Sequence, residues 1–496
     1  MSSHPRLFLF FLALVFSFFA CFFFSGSTSF LYPANNADSI CLDSNLFLYE
    51  ASLWLMGKRP YLDFYDHKGL YHLAIDVIGI AIDGRYGVFL LQLLFDALSL
   101  FGLFLSFKLL HPNYKLLAVL GGLLFAFFYA MGAGGNNEGE WVLPFVSWAF
   151  YFETRGILES KQSFFRIAAF LAGLEMGFAL NSRPLDGLWG GAILVSYFVY
   201  YLRHHEGMEL LYEGLFALLG LGIPFAIFLP IASAGGYLNL MFRSIFLDSI
   251  AYVQDPSENL MRWLNRLLLL GLFILALFLF LFEKKNGNKD LALFYFVSAC
   301  VAIVLYFLVA RYTSYYWSGY TFAILNLGFA LSLCPSFFKD HPFKQKALLG
   351  TLTSFVLIWF SILLSGYYTN GVMNLNFSYY SSKAIEETVL TIPEQARKTE
   401  GRVYALDCDA AIYEDGGIVA GNRYLVNQSH WTSFMPEVKQ EVTDYLTSSS
   451  RPTYIIFNER GEDTEKYFGD LVRQYYTEIP GSLSQSGGAI TLFKSK

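Results

Sequence analysis

Four side chains able to bind an anion or move a proton stand close together in the stretch PYLDFYDHKG, residues 60–69: Asp63, Asp66, His67 and Lys68. An ammonium at Lys68 can neutralise an oxyanion, while carboxylates and an imidazole beside it can accept or orient a proton. Asp43 opens the run DSNLFLYEASLWLMGKRP just upstream, and Glu138 and Glu140 stand in GAGGNNEGE, residues 132–140. Arg183, Arg243, Asp248, Arg262, Arg266 and Arg311 fall in later polar turns. Carboxylates mixed with arginines suit a reaction in which an acidic group is bound and a proton is removed. Two of these residues also have plainer readings. Asp43 is either a general base or the N-terminal cap of a helix over 44–57. Lys68 either shares an anion site with the free N–H groups of the helix that follows, or is a loop charge paired with Asp63 or Asp66.

The elements that must position them are mostly apolar. Of the 496 residues, 55% are hydrophobic and 19% aromatic, and the apolar runs recur at bilayer-spanning length. They predict an all-α polytopic membrane domain of about 11 spans. The spans are 7–25, 87–110, 115–133, 141–152, 164–180, 185–201, 211–232, 263–282, 291–310, 316–333 and 347–366. The first run is longer than a signal-peptide core and reads as a retained helix. Segment 70–82 is apolar but too short to cross and carries Asp76; laid in the interface, it leaves the short lysine- and arginine-bearing loops on the cytoplasmic side. The N-terminus is then inside, while loop 26–86, the turns around 132–140, 181–186 and 311–316, loop 233–262 and the tail are outside. In helix 44–57, Leu46, Phe47, Leu53 and Trp54 form an apolar face toward lipid or protein. The five cysteines, Cys21, Cys41, Cys300, Cys334 and Cys408, show neither CxxC nor metal-ligand spacing, and no metal site or disulfide framework is expected from them. The net charge of -6 gives no reason to expect nucleic acid.

The tail is more charged, and its pieces VYALD (403–407), TYIIFN (453–458) and AITLF (489–493) read as strands of a small α/β domain. The chain thus divides into a transmembrane part, 1–367, and an extracytoplasmic α/β part, 368–496.

The run from Asp43 through Gly57, Pro60, Tyr61, Asp63, Phe64, Asp66, His67 and Lys68 resembles the first external loop of bacterial polytopic glycosyltransferases of the GT-C superfamily. That group includes the protein O-mannosyltransferases and lipid A aminoarabinose transferase. GGNNEGEWVLPF (134–145) is similar to a second motif of the same group. The sequence departs from the pattern at Gly69, where members tend to carry Pro, and around Arg311, Tyr315 and Tyr316, where a His is missing.

The resemblance implies transfer of a sugar from a polyprenyl-phosphate donor to a hydroxyl of a cell-envelope polysaccharide, lipid or protein, with inversion, in the bacterial plasma membrane. It makes Asp43 the base that deprotonates the acceptor, with Glu140 as a second catalytic carboxylate. Lys68, His67 and Arg311 then hold the donor phosphate, and Asp66 and Glu138 the sugar or acceptor. A divalent cation, Mg or Mn, on Asp43 and Glu140 is compatible with this but not required. The alternative is a transporter of lipid-linked sugars, which usually places charge at mid-membrane; the spans read as almost free of it.

Overall fold

In the computed structural model, residues 5–25, 28, 42–111, 114–131, 135–250, 389–458, 462–480 and 490–496 are described, with a few isolated positions between 290 and 354. Apart from those isolated positions, the expected spans 263–282, 291–310, 316–333 and 347–366, together with Arg311 and Cys41, lie outside them.

The first half is helical, in the order α1 (Pro5–Phe24), α2 (Leu42–Leu55), α3 (Leu70–Leu110), α4 (Tyr114–Met131), α5 (Leu143–Glu159), α6 (Gln162–Leu180), α7 (Leu188–His204) and α8 (Gly207–Ala234), with the short α9 (Leu238–Phe242) following. Among the described residues, five helices are long and apolar enough to cross a bilayer, so this is a membrane protein. Helices α1 and α3–α7 share one apolar cluster running from Leu9 and Phe24 through Phe104, Phe125 and Phe150 to Trp189 and Tyr201.

Segment 70–82 and span 87–110 are two arms of α3, separated by non-helical backbone at Asp83 and Gly84 (φ 54). A Cβ built on Gly87 would fall 1.9 Å from the carbonyl oxygen of Gly79, so the arms meet at their glycines. A side chain at either position would push them apart.

Charge inside the spans is a correction to the sequence reading. Asp96, Glu153, Glu175 and Glu213 are all buried in helices. Local donors pair with them: Cys21 Sγ on Asp96 at 3.2 Å, Ser196 Oγ on Glu153 at 3.0 Å, Gly190 N–H on Glu175 at 2.9 Å and Tyr201 Oη on Glu213 at 3.3 Å. Scattered single acids vanish in an averaged apolar window, and one neutral donor supplied by the fold offsets part of the cost of burying each.

The polar segments sort into two groups. One holds the 60–69 loop, the turns at 135–142 and 181–186, residues 243–249 and the tail, and its members touch one another. The other holds Arg166 with Glu209, Gln162 with Glu206, and Arg203 and His204 with Asp290.

The tail folds around a four-stranded sheet of order β1 (Val403–Leu406), β2 (Tyr454–Asn458), β4 (Ile490–Ser495), β3 (Tyr476–Glu478). β1 and β2 run parallel, with Val403 opposite Tyr454, while β2 and β3 are antiparallel to β4. The crossover carries α10 (Ala411–Gly416), α11 (Gln428–Thr432) and α12 (Pro436–Thr447). The three expected strands are present; β3, short and polar on an edge, gave no alternating signal. Helix α2 belongs to this layer as much as to the membrane part. Leu46, Phe47 and Leu53 share a core with Val403, Ile412, Ile418 and Ile456, and Tyr49 Oη donates to the Ile418 carbonyl at 2.8 Å. The apolar face of α2 therefore meets protein.

Candidate functional site at the end of the helical bundle

α2 begins at Leu42, so Asp43 lies in its first helical turn. Its side chain keeps 41% of its surface exposed, against 8% for Lys68, 7% for Asp66 and none for Glu138. The Lys68 ammonium lies 3.3 Å from Glu138 Oε1 and 3.8 Å from both Asp43 Oδ2 and Asp66 Oδ2, with the Phe47 ring beneath it at 4.5 Å. His67 Nδ1 stands 3.0 Å from Asp66 Oδ1. Five residues singled out from the sequence, Asp43, Asp66, His67, Lys68 and Glu138, thus come together.

The fold fixes this loop from three directions. The backbone N–H groups of Gly69 and Tyr71 donate to the carbonyls of Ser182 and Asn181, each at 2.7 Å. These two donors at the start of α3 are thus spent on protein rather than free for an anion. A Cβ on Gly69 would fall 2.2 Å from the Asn181 carbonyl carbon. A proline there would also lose the bond to Ser182, which accounts for the departure from the Pro of the resembled motif. Tyr65 Oη donates to Asp248 at 2.8 Å and the Tyr65 N–H to the Arg423 carbonyl at 2.9 Å. Ser249 Oγ donates to the His67 carbonyl at 3.2 Å.

Glu138 is held on its other side by Arg183, whose guanidinium lies 3.3 Å from Glu138 Oε2. Arg183 is itself aimed by bonds to both Asp186 oxygens, at 2.8 and 3.0 Å, and by one to Asn137 Oδ1 at 3.2 Å. Burial works against charge here, yet Lys68 and Arg183 together hold the Glu138 carboxyl down at about 2. Burial also opposes the charge of Asp66, but Lys68 and His67 keep it well below the usual carboxylate range. Burial pulls Lys68 toward neutrality, and Asp43, Asp66 and Glu138 outweigh it, so the ammonium stays charged. Glu50 goes the other way: burial, with Asp66 nearby, pushes its carboxyl well up.

The structure does not place Glu140 in this group. Its Oε1 accepts from Tyr129 Oη at 3.0 Å, its Oε2 from the Asn137 N–H at 3.2 Å, and Gln92 Nε2 lies 3.3 Å from both oxygens. Its neighbours on the far side are Cys21 and Asp96. Asp43 and Glu140 are thus not in contact with each other; the carboxylates that do converge with Asp43 on Lys68 are Asp66 and Glu138. Asp63 also lies apart, paired with Arg59. Arg183 and Trp431 belong to the surroundings of the site although the sequence did not single them out for it. Arg183 was visible only as one arginine among several, and Trp431, 5.1 Å from the His67 ring between centroids, gave no local signal at all.

The class is thus a polytopic helical membrane protein with a buried lysine–carboxylate cluster at one end of the bundle, under a small α/β layer. The overall fold is also found in solved structures. The chain is similar to ArnT from Cupriavidus metallidurans bound to undecaprenyl phosphate, at 13% identity over 99% of this chain and 98% of that one, with a TM-score of 0.56. It is also similar to the apo state of that protein, at 13% identity over 98% and 97%, with a TM-score of 0.57. At this identity what is shared is the fold, along essentially the whole length, as the resemblance of residues 43–145 to GT-C enzymes implies. No family profile matches the sequence, and no characterised protein matches it by sequence.

Proposed function

We propose that the protein is an inverting glycosyltransferase that moves a sugar from a polyprenyl-phosphate donor to a hydroxyl on the outer face of the bacterial plasma membrane. The observation that carries the reading is the convergence on Lys68 of an exposed carboxylate, Asp43, with the buried Asp66 and Glu138, in a chain with the fold of a protein crystallised with undecaprenyl phosphate.

Asp43 is the base. It is the one member of the cluster with substantial exposure, so an acceptor hydroxyl can reach it, and taking that proton as the C–O bond forms raises the nucleophilicity of the oxygen. The hydroxyl attacks the anomeric carbon from the face opposite the phosphate, the bond to phosphate breaks, and the configuration inverts. Lys68 orients Asp43 and presents positive charge to the leaving phosphate, which then needs no strong acid. Asp66 and Glu138 keep Lys68 charged.

Charge sets a further requirement. Asp43, Asp66, Glu138 and Asp186 outnumber Lys68 and Arg183 in the described cluster, so a lipid phosphate binds only with more positive charge. Arg311, outside the described residues, is the proposed source, with His67 assisting when protonated. A Mg or Mn ion carried in with the donor would meet the same need.

A transporter of lipid-linked sugars is the second reading, favoured by the acids buried in the spans. One assay separates the two: release of polyprenyl phosphate from labelled polyprenyl-phosphate sugar by the purified protein with an envelope extract. Transfer that Asp43→Asn abolishes while donor binding persists supports the enzyme. Movement of intact donor across vesicle membranes without release supports the transporter.

A further inference from the structure

At the outer end of α1, below the turn that carries Glu138, three groups converge that the proposed reaction does not use. The Cys21 thiol lies 3.2 Å from Asp96 Oδ2, and ligand atoms of Cys21, Asp96 and Glu140 all fall within 4.8 Å of one another. All three residues have no exposed surface. Tyr129 Oη stands 3.0 Å from Glu140 and 3.6 Å from the sulfur. A second observation points to something held among them: the Asp96 and Glu140 carboxyls are in hydrogen-bonding contact with each other, although neither can donate when ionised, and the buried Asp96 Oδ1 meets no donor. Two carboxyl groups with an orphaned oxygen and no basic side chain against them need a proton or a cation to be tolerable away from water.

We propose that Cys21, Asp96 and Glu140 form a binding site for a divalent cation of the zinc type, with Tyr129 beside it. A thiolate among the ligands selects a borderline-soft ion such as zinc over magnesium or calcium, which prefer all-oxygen shells. A thiolate and one ionised carboxylate neutralise such an ion, so the second acid keeps the proton that the two share while its remaining oxygen completes the ligand set. Binding releases the Cys21 proton to solvent.

The role of the ion is positional. Glu140 Oε2 accepts the Asn137 N–H, and Asn137 Oδ1 in turn receives Arg183, which holds Glu138 against Lys68. An ion on Glu140 therefore anchors α1 and α3 to the turn that shapes the Lys68 cluster. This inference concerns metal binding by the fold and stands whether or not the transferase reading does.

The test is metal content and spectroscopy on full-length protein purified in detergent. The expectation is about one equivalent of zinc per chain by mass spectrometry. After chelation, added Co(II) should give a thiolate-to-cobalt charge-transfer band, absent in Cys21→Ser and weakened in Asp96→Asn. As a second readout, zinc should raise the thermal unfolding temperature of the chelated wild type and not that of Cys21→Ser. Failure of zinc and cobalt to bind, a band that persists in Cys21→Ser, or an unfolding temperature unaffected by zinc would each overturn the proposal and leave two acids sharing a proton.

Discussion

Trp431 of the tail stands edge-on to His67 of the 60–69 loop, with 5.1 Å between ring centroids and 60° between planes. The same indole packs against Tyr65 at 5.6 Å, and Tyr65 is tied to Asp248. The loop that carries Asp66 and Lys68 is thus clamped between the sheet layer and the residues after α9. Trp431→Ala should lower kcat about tenfold through loss of loop order, with little change in donor KM. Trp431→Phe, which keeps a ring, should recover most of it. A uniform loss of folded protein with unchanged kcat per folded molecule would show the contact to be structural only.

Gly69 has no room for a side chain, because its Cβ position is filled by the backbone of Asn181 and Ser182. Gly69→Ala must move either the 181–186 turn, and Arg183 with it, or the start of α3. The expected cost is about 2–4 kcal/mol in thermal unfolding, with loss of transfer in the protein that still folds. A variant with wild-type stability and turnover would mean that the two backbones separate easily.

Lys68 is the cation three carboxylates share. Lys68→Ala leaves Asp66 and Glu138 buried beside no ammonium and should cost about 3–5 kcal/mol; adding Glu138→Gln to it should recover part of the loss. The pH dependence has a definite sign. The Glu138 carboxyl is depressed from 4.5 to about 2, so the stability it contributes is whole above pH about 4.5 and disappears as pH falls toward 2. In acid unfolding, Glu138→Gln should lack that component; an unchanged acid profile would show that Glu138 is not paired as described.

Asp66, His67 and Lys68 could be read from the sequence because they lie in one short polar segment of an apolar chain, and Asp43 because it opens an apolar helix just upstream. Their partners could not. Glu138 and Glu140 are two residues apart, and nothing in GAGGNNEGE says that one turns to Lys68 and the other to Cys21 and Asp96; that choice is made by Asn137 and Arg183. The tail's strands announced themselves by β-branched and aromatic runs, whereas the burial of α2 in the tail's core depends on packing between residues some 350 positions apart, which no local pattern encodes.

Arg85, just past the break in α3, reaches the tail at α10, 2.7 Å from Asp415 and 3.8 Å from Glu414. Burial pushes the Glu414 carboxyl up from 4.5 to about 7, with Arg85 working against the rise. A raised acid stabilises the fold fully below its unfolded value of about 4.5, and that contribution is lost as pH climbs through about 7. Wild-type stability should therefore fall by about 1–3 kcal/mol between pH 4.5 and 8 through this group. Glu414→Gln is neutral throughout and leaves Asp415 to hold Arg85. It should match wild type near pH 4.5 and exceed it at pH 8, read as thermal unfolding or as the rate of proteolysis at the tail. Parallel curves for the two proteins across that window would show that Glu414 is ionised in the fold and that Arg85 outweighs its burial.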